Sequence, residues 1–220
     1  MKTALITGSN RGIGLALTQE YLALGWAVIA VCRSSSEELN GTKAKIITNI
    51  DVTNSADLLT LAKQIPSTKI DLLINNAGIL HRDDLGGIDY KNVTQQFLVN
   101  AQAPIQVTEA LLNHLNDGAK IAFITSRMGS IEDNTSGAYY GYRMSKAALN
   151  AAAKSLSIDL KPRGIAVAIL HPGYVQTAMV NFGGDISASE SAKRLSKRIA
   201  ELNLKNTGGF WHSNGESLPW

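Results

Sequence analysis

The chain has 220 residues, 45% hydrophobic and 18% charged, a balance that suits one α/β domain with a sizeable core. Its formal charge of +3, with no run of Lys and Arg interleaved with aromatics, argues against a nucleic-acid partner, and no segment approaches the ~18 uninterrupted apolar residues of a membrane span. Cys32 is the one cysteine and has no intramolecular disulfide partner, the start reaches Gly8 before a signal-length apolar run develops, and the cytoplasm is the expected compartment.

Ala4-Leu5-Ile6 is a short apolar run that ends at Thr7-Gly8-Ser9-Asn10-Arg11-Gly12-Ile13-Gly14, and an amphipathic segment with Leu15, Leu17, Tyr21, Leu22 and Leu24 follows. This order reads as strand, glycine-rich turn, helix. Gly8, Gly12 and Gly14 then permit a tight turn and close backbone approach, while the amides that open the helix face a phosphate. The spacing G-x-x-x-G-x-G departs from the usual dinucleotide fingerprint G-x-G-x-x-G, and an ordinary glycine-rich βα turn would look the same locally.

Val28 to Val31 reads as a second strand, buried on both faces. At its end stand Cys32-Arg33, where an NAD-binding chain places the acid that takes the ribose 2′-hydroxyl, and no acid appears until Glu37. Arg33, with Arg11 in the turn, offers bidentate donors to a 2′-phosphate, which predicts NADP(H). The plain alternative is a solvated surface arginine. Lys45 to Ile50 fits a third strand, with Asp51-Val52-Thr53 at its carboxyl end and a helix over about 54–65. Leu72-Leu73-Ile74 is a fourth, running into Asn75-Asn76-Ala77-Gly78. There the amide side chains could tie neighbouring strands and the small residues admit a ligand, or the segment is a plain polar turn.

Apolar spacing predicts a long helix over 89–116, interrupted by Asn100 and Pro104. A polar residue one turn before a proline either marks a local widening with an inward amide or faces solvent. Ile121 to Ile124 is the fifth strand; Ser126 follows at its carboxyl end, where open α/β sheets place their ligands. After a loop over 127–140 comes an alanine-rich helix carrying Tyr142 and Lys146, ended by Pro162 and Gly164. Side chains at i and i+4 share a helical face, so the ammonium of Lys146 can act on the phenol of Tyr142. It would bring that pKa down from its usual ~10 toward the working range. Taken alone the pattern is cheap, because Tyr139 and Arg143 repeat it. Ile165 to Leu170 is a sixth strand, followed by His171-Pro172-Gly173-Tyr174-Val175-Gln176-Thr177, a flexible Gly183-Gly184 stretch, a polar helix near 189–202 and a last strand at Gly208 to Trp211. His81, His114 and His212 show no metal-ligand clustering, and no metal is expected.

Alternating strands and helices define an α/β fold: a Rossmann-type doubly wound domain with a parallel sheet of about seven strands and helices on both faces. The ordered set Thr7-Gly8-x-x-x-Gly12-Ile13-Gly14, Asp51-Val52, Asn75-Asn76-Ala77-Gly78, Asn100, Ser126, Tyr142-x-x-x-Lys146 and Pro172-Gly173-x-x-x-Thr177 resembles the short-chain dehydrogenases/reductases over nearly the whole chain. Cys32-Arg33, Gly129-Ser130-Ile131, His171-Pro172-Gly173 and the ending Gly208-Gly209-Phe210 to Leu218-Pro219-Trp220 are similar to the C-factor-like and sniffer-type carbonyl reductases of that family.

The resemblance implies a single domain over 1–220, with a nucleotide-binding turn at 7–14, a catalytic segment at 126–146 and a substrate loop at about 178–207, short for the family. It implies that Tyr142 protonates a carbonyl oxygen held by Ser126 while nicotinamide delivers hydride, that Lys146 binds the nicotinamide ribose, and that Asn100 supports a proton relay. Gly8, Asn10, Arg11, Gly12, Ile13 and Gly14 would take the pyrophosphate side, Asp51 and Val52 the adenine, Asn76, Ala77 and Gly78 the adenine-side ribose, and Pro172, Gly173, Val175 and Thr177 the nicotinamide end. It further implies NADPH-dependent reduction of small aldehydes, ketones or quinones by a homodimer or homotetramer. Oxidation of a secondary alcohol with NADP+, and a dinucleotide-binding sensor or signalling role, are the competing readings.

Overall fold

The computed structural model describes residues 1–220. Seven strands, β1 Thr3–Thr7, β2 Ala27–Val31, β3 Lys45–Ile47, β4 Ile70–Asn75, β5 Leu115–Ile124, β6 Ala166–His171 and β7 Phe210–His212, form one sheet in the order β3-β2-β1-β4-β5-β6-β7. Every pairing is parallel. The helices are α1 Gly12–Ala23, α2 Glu37–Asn40, α3 Ser55–Gln64, α4 Tyr90–Phe97, α5 Ala103–Ala110, α6 Tyr140–Asp159 and α7 Ala188–Glu201.

The strands are continuous apolar runs because both faces are covered. Leu5, Leu73, Phe123 and Ile169 point to one core, where Leu58 and Leu61 of α3, Val107 of α5 and Leu149 of α6 meet them. Ile6, Ile74, Ala122 and Leu170 point to the other, against Leu17 and Tyr21 of α1 and Leu195 and Ile199 of α7. The chain leaves β1 in one direction along the sheet and returns to lay β4 on its other side. The crevice beyond the carboxyl ends of β1 and β4 is therefore the switch point where such sheets bind ligands.

Several elements differ from the sequence reading. β3 stops at Ile47, not Ile50, because Asn49 adopts a left-handed backbone (φ 59°) and its N–H turns to Arg33 O at 2.9 Å. The helix expected over 89–116 is broken by a π-helical turn at Leu98–Gln102, which is the local widening anticipated around Asn100, and ends at Ala110. β5 begins six residues earlier than expected, with a register shift against β4. The short helix α2 was not foreseen; Ser36 caps it by accepting from Leu39 N–H. The polar helix expected near 189–202 is α7, shifted by one residue to Ala188–Glu201; it takes up the middle of the expected 178–207 substrate segment and leaves 178–187 as the loop before it. Tyr140, expected in a loop, opens α6.

Candidate active site

The turn after β1 is built by contact with the turn after β4. Gly8 and Gly12 have positive φ (67° and 54°), and a Cβ on Gly8 would stand 2.9 Å from Ala77 Cα. Asn76 Nδ2 donates to Thr7 O (2.9 Å) and Gly8 O (3.2 Å), while Thr7 Oγ1 accepts from Asn76 N–H and Ala77 N–H. Asn76 is thus the tie between neighbouring strands that the sequence allowed. Arg11 precedes α1 in extended backbone with no side-chain cap, so the first amides of the helix keep their donors for an anion.

Arg11 and Arg33 are exposed, and neither takes part in an ion pair. Asp51 Oδ1 accepts from Thr53 N–H and Oγ1, and these bonds, with the nearby Arg33, hold its carboxyl below the usual range. Val52 and Ala77 line a narrow cleft with Thr7, Asn75 and Val99. Across the crevice, Pro172 O accepts from Ser191 Oγ (2.8 Å) and Ser213 Oγ (3.0 Å), Gly173 turns at φ 96°, and buried Val175 pairs with Ile186. The segment then runs to Thr177, whose Cγ2 lies 3.3 Å from where a Cβ on Gly12 would be. The β6 loop so meets the β1 turn above the switch point.

The polar residues singled out on three other elements converge beside it. Ser126 stands in extended backbone past β5, its Oγ accepting from Met128 N–H at 3.1 Å and interacting with the Tyr142 phenol. Lys146, one helical turn beyond Tyr142, is 4% exposed; its Nζ donates to Ile124 O at 3.0 Å and lies 5.8 Å from the Tyr142 ring centre. Asn100 is fully buried in the π-helical turn. Its Oδ1 accepts from Ile79 N–H (2.8 Å), and its Nδ2 donates to Ile79 O (2.9 Å) and to Ser145 Oγ (3.0 Å), which itself donates to Tyr142 O (2.8 Å). Gly78 passes so close that an added Cβ would stand 3.2 Å from Asn100 Oδ1 and 3.8 Å from Lys146 Nζ.

One electrostatic expectation is corrected. Lys146 was expected to draw the Tyr142 pKa down, yet burial pushes the phenol up to about 12, and only the Ser126 hydroxyl pulls the other way. The ammonium is itself buried and donates to Ile124 O, and burial lowers it to about 8. At neutral pH Tyr142 therefore carries its proton.

Sequence reasoning passed over His171, which appeared only as the residue before Pro172. It is 7% exposed, packs edge-on against His212 with ring centres 4.9 Å apart, and leaves Nδ1 without a partner. Burial, then His212 and the cations Arg127 and Lys146, depress its pKa to about 3. The folded value lies below the ordinary ~6.5, so the unfolded chain takes the proton first. This contribution is whole above pH ~6.5 and is lost as pH falls toward 3, at up to about 1.4 kcal/mol per pH unit. His171→Gln should therefore show a shallower loss of denaturant midpoint between pH 6.5 and 4 than the parent; parallel curves would show that the ring is not held neutral.

The profile of the short chain dehydrogenases matches residues 2–198. A 1-hydroxy-2-glutathionyl-2-methyl-3-butene dehydrogenase of Rhodococcus sp. (strain AD45) is 34% identical over the whole of both chains. The C-signal protein of Myxococcus xanthus is 42% identical over 72% of this chain and 98% of its own. Among solved structures, the carbonyl reductase Sniffer of D. melanogaster superposes with a TM-score of 0.93 at 31% identity over 100% of both chains. An NADPH-bound carbonyl reductase from chicken fatty liver gives 0.91 at 29% identity, over 100% of this chain and 99% of its own. With a seven-stranded parallel sheet and this profile match, the chain belongs to the short chain dehydrogenase family and is an oxidoreductase.

Proposed function

We propose that this protein reduces small aldehyde and ketone carbonyls, quinones among them, with NADPH, and that Tyr142 supplies the proton. The observation that carries the reading is the meeting of Ser126, Tyr142 and Lys146 at the carboxyl edge of the sheet, with Tyr142 in its protonated form. Bound NADPH supplies the hydride. Ser126 donates to the substrate oxygen, Tyr142 passes its proton to that oxygen as charge develops, and Lys146 holds the nicotinamide ribose. Asn100 fixes the Tyr142 turn through Ser145 and is read as supporting the proton relay.

For the cofactor, Gly8, Asn10, Arg11, Gly12, Ile13 and Gly14 form the pyrophosphate cradle, Arg33 with Arg11 meets the 2′-phosphate, Asp51 and Val52 the adenine, Asn76, Ala77 and Gly78 its ribose, and Pro172, Gly173, Val175 and Thr177 the nicotinamide. The free guanidinium groups and uncapped α1 amides fit a 2′-phosphorylated dinucleotide, and the NADPH in the chicken carbonyl reductase supports it. The brief 178–187 loop fits an open site with loose carbonyl preference. Oxidation of an alcohol with NADP+ would use the same residues, and the Rhodococcus dehydrogenase favours keeping that direction as a second reading. No helix is long and apolar enough to cross a membrane. We place the enzyme in the cytoplasm as a homodimer or homotetramer whose contact includes the exposed Met144, Ala151 and Ile158 of α6.

The test is a titration with NADPH against NADH, followed by loss of reduced-cofactor absorbance on adding a diketone or quinone. Arg33→Ala should raise KM for NADPH by roughly 10- to 100-fold, the worth of one or two charge-assisted hydrogen bonds, and leave KM for NADH within about twofold. Equal effects on both cofactors would remove Arg33 from the 2′-phosphate site.

A further inference from the structure

Helix α6 carries Tyr142 in its first turn, yet its own N-cap residue does no capping. Tyr139 stands there in left-handed backbone (φ 54°) with no side-chain bond to the helix. By contrast α3, α4 and α7 are each capped by the residue before them, Asn54, Asp89 and Ser187. The donors of α6 are taken up from far along the chain, by the loop after β4. Asp83 Oδ2 accepts from Gly141 N–H at 3.1 Å, and Asp83 O accepts from Tyr139 N–H at 2.8 Å.

We propose that Asp83 is a positioning residue for the Tyr142 proton donor, capping the catalytic helix from the β4 loop and locking the two together; this rests on the reductase reading above. Three observations combine. First, Asp83 is 2% exposed and its second carboxyl oxygen has no partner. A carboxyl group held inside by so few bonds costs stability, and a purely structural cap would be cheaper on a serine at the N-cap itself.

Second, the same loop grips the other side of Tyr142. Ile79 binds Asn100 through both its N–H and its carbonyl, Asn100 donates to Ser145, and Ser145 donates to Tyr142 O. Asp83 holds the residue before Tyr142, so the backbone on both sides of the tyrosine is referred to one loop. Third, the approach is tight. Gly141 packs so closely on α4 that a Cβ there would meet Gln96 Nε2 at 2.6 Å and Val93 Cα at 2.9 Å. Gln96 is fully buried and accepts from His81 N–H of the same loop, its Nε2 left unpaired beside the glycine. Side chains from the β4 loop and α4 thus surround Gly141, and a slide of α6 would move Tyr142 relative to Ser126, which stands on the separate β5 loop. Displacements near 1 Å cost on the order of 100-fold in rate.

The test compares Asp83→Ala with Asp83→Asn, which keeps an acceptor oxygen for Gly141 N–H. Three readouts are taken on the whole chain well below its melting temperature: kcat with a reactive diketone, KM for NADPH, and amide hydrogen exchange over 140–146. Asp83→Ala is expected to lower kcat by roughly 10- to 100-fold, to leave KM for NADPH within about twofold, and to speed exchange in the first turn of α6. Asp83→Asn should recover most of kcat and of the protection. A lower melting temperature with unchanged kcat in the alanine variant would reduce the cap to a structural one and overturn the proposal, as would unchanged exchange at 140–146. A parent protein that binds NADPH but turns over no carbonyl would sink the reductase reading instead, and the exchange data would still decide whether Asp83 anchors the helix.

Discussion

Tyr142→Phe should lower kcat for carbonyl reduction by ~10³-fold, within the 10²–10⁴ that a positioned general acid contributes, while the Kd for NADPH changes less than about twofold. The substitution removes one hydroxyl from a ring that stays on α6, and the Lys146 bond to Ile124 O does not involve it. Ser126 still polarises the substrate oxygen, so residual turnover above the uncatalysed rate is expected. The pH profile supplies an independent check. Reduction needs the protonated phenol, held up to about 12, and the Lys146 ammonium, which persists below about 8. Its rate should be level through neutrality and fall as pH rises through 8. Alcohol oxidation needs the phenolate together with the same ammonium, and should climb with pH up to about 8 and level off above it. Full turnover in the phenylalanine variant would remove Tyr142 from the chemistry.

Gly14→Ala should destabilise the fold by about 2–3 kcal/mol, lower Tm by roughly 5–10 °C for a chain of this size, and abolish measurable dinucleotide binding. In an exposed helix the same change would stabilise by up to ~1 kcal/mol, so the sign rests on packing. A Cβ at Gly14 would collide with Gly8 O and stand 2.8 Å from Gly8 C and 2.5 Å from Asn76 Nδ2. None of these is the free end of a flexible side chain: two are backbone, and the third is tied to Thr7 O and Gly8 O. Relief therefore means moving the turn that forms the proposed phosphate cradle. Gly41→Ala is the control. Gly41 has φ −73° and only ordinary contacts, 3.6 Å to Glu38 O, and calorimetry should place its Tm within about 2 °C of the parent. Similar Tm values for both variants would show that the β1 and β4 turns are looser than described.

Much of this architecture was legible in the residues. The strands are nearly unbroken apolar runs because a parallel sheet covered on both faces leaves them no polar side, and Ile6 and Ile74 read as strand for that reason. Asn100, a polar residue in an apolar face one turn before Pro104, left a local widening or a solvent-facing side chain open, and the structure takes the widening as a π-helical turn. Ser126 at a strand's carboxyl end and Tyr142 with Lys146 on one helical face followed from local spacing; that they share a site with the glycine turn came from the family resemblance.

Tertiary structure decided what depends on the environment of a group. The i, i+4 spacing of Tyr142 and Lys146 indicates a shared face but not how deeply that face is buried, and burial raises the phenol where the neighbouring charge alone would lower it. His171 gave no signal because its neutrality comes from the contact between β6 and β7 and the loop over them. Asp83 is one of three successive charged residues, Arg82, Asp83 and Asp84; 58 residues separate it from Gly141, and no local pattern marks a cap delivered across such a distance. The sequence by itself determined the alternating strands and helices of the sheet, which rest on periodicity, and the ordered motif set that resembles the family; the proposed reacting groups came with that resemblance. Protonation states and the bracing of α6 were decided only by the fold, because desolvation and long-range hydrogen bonds exist only after distant segments are packed together.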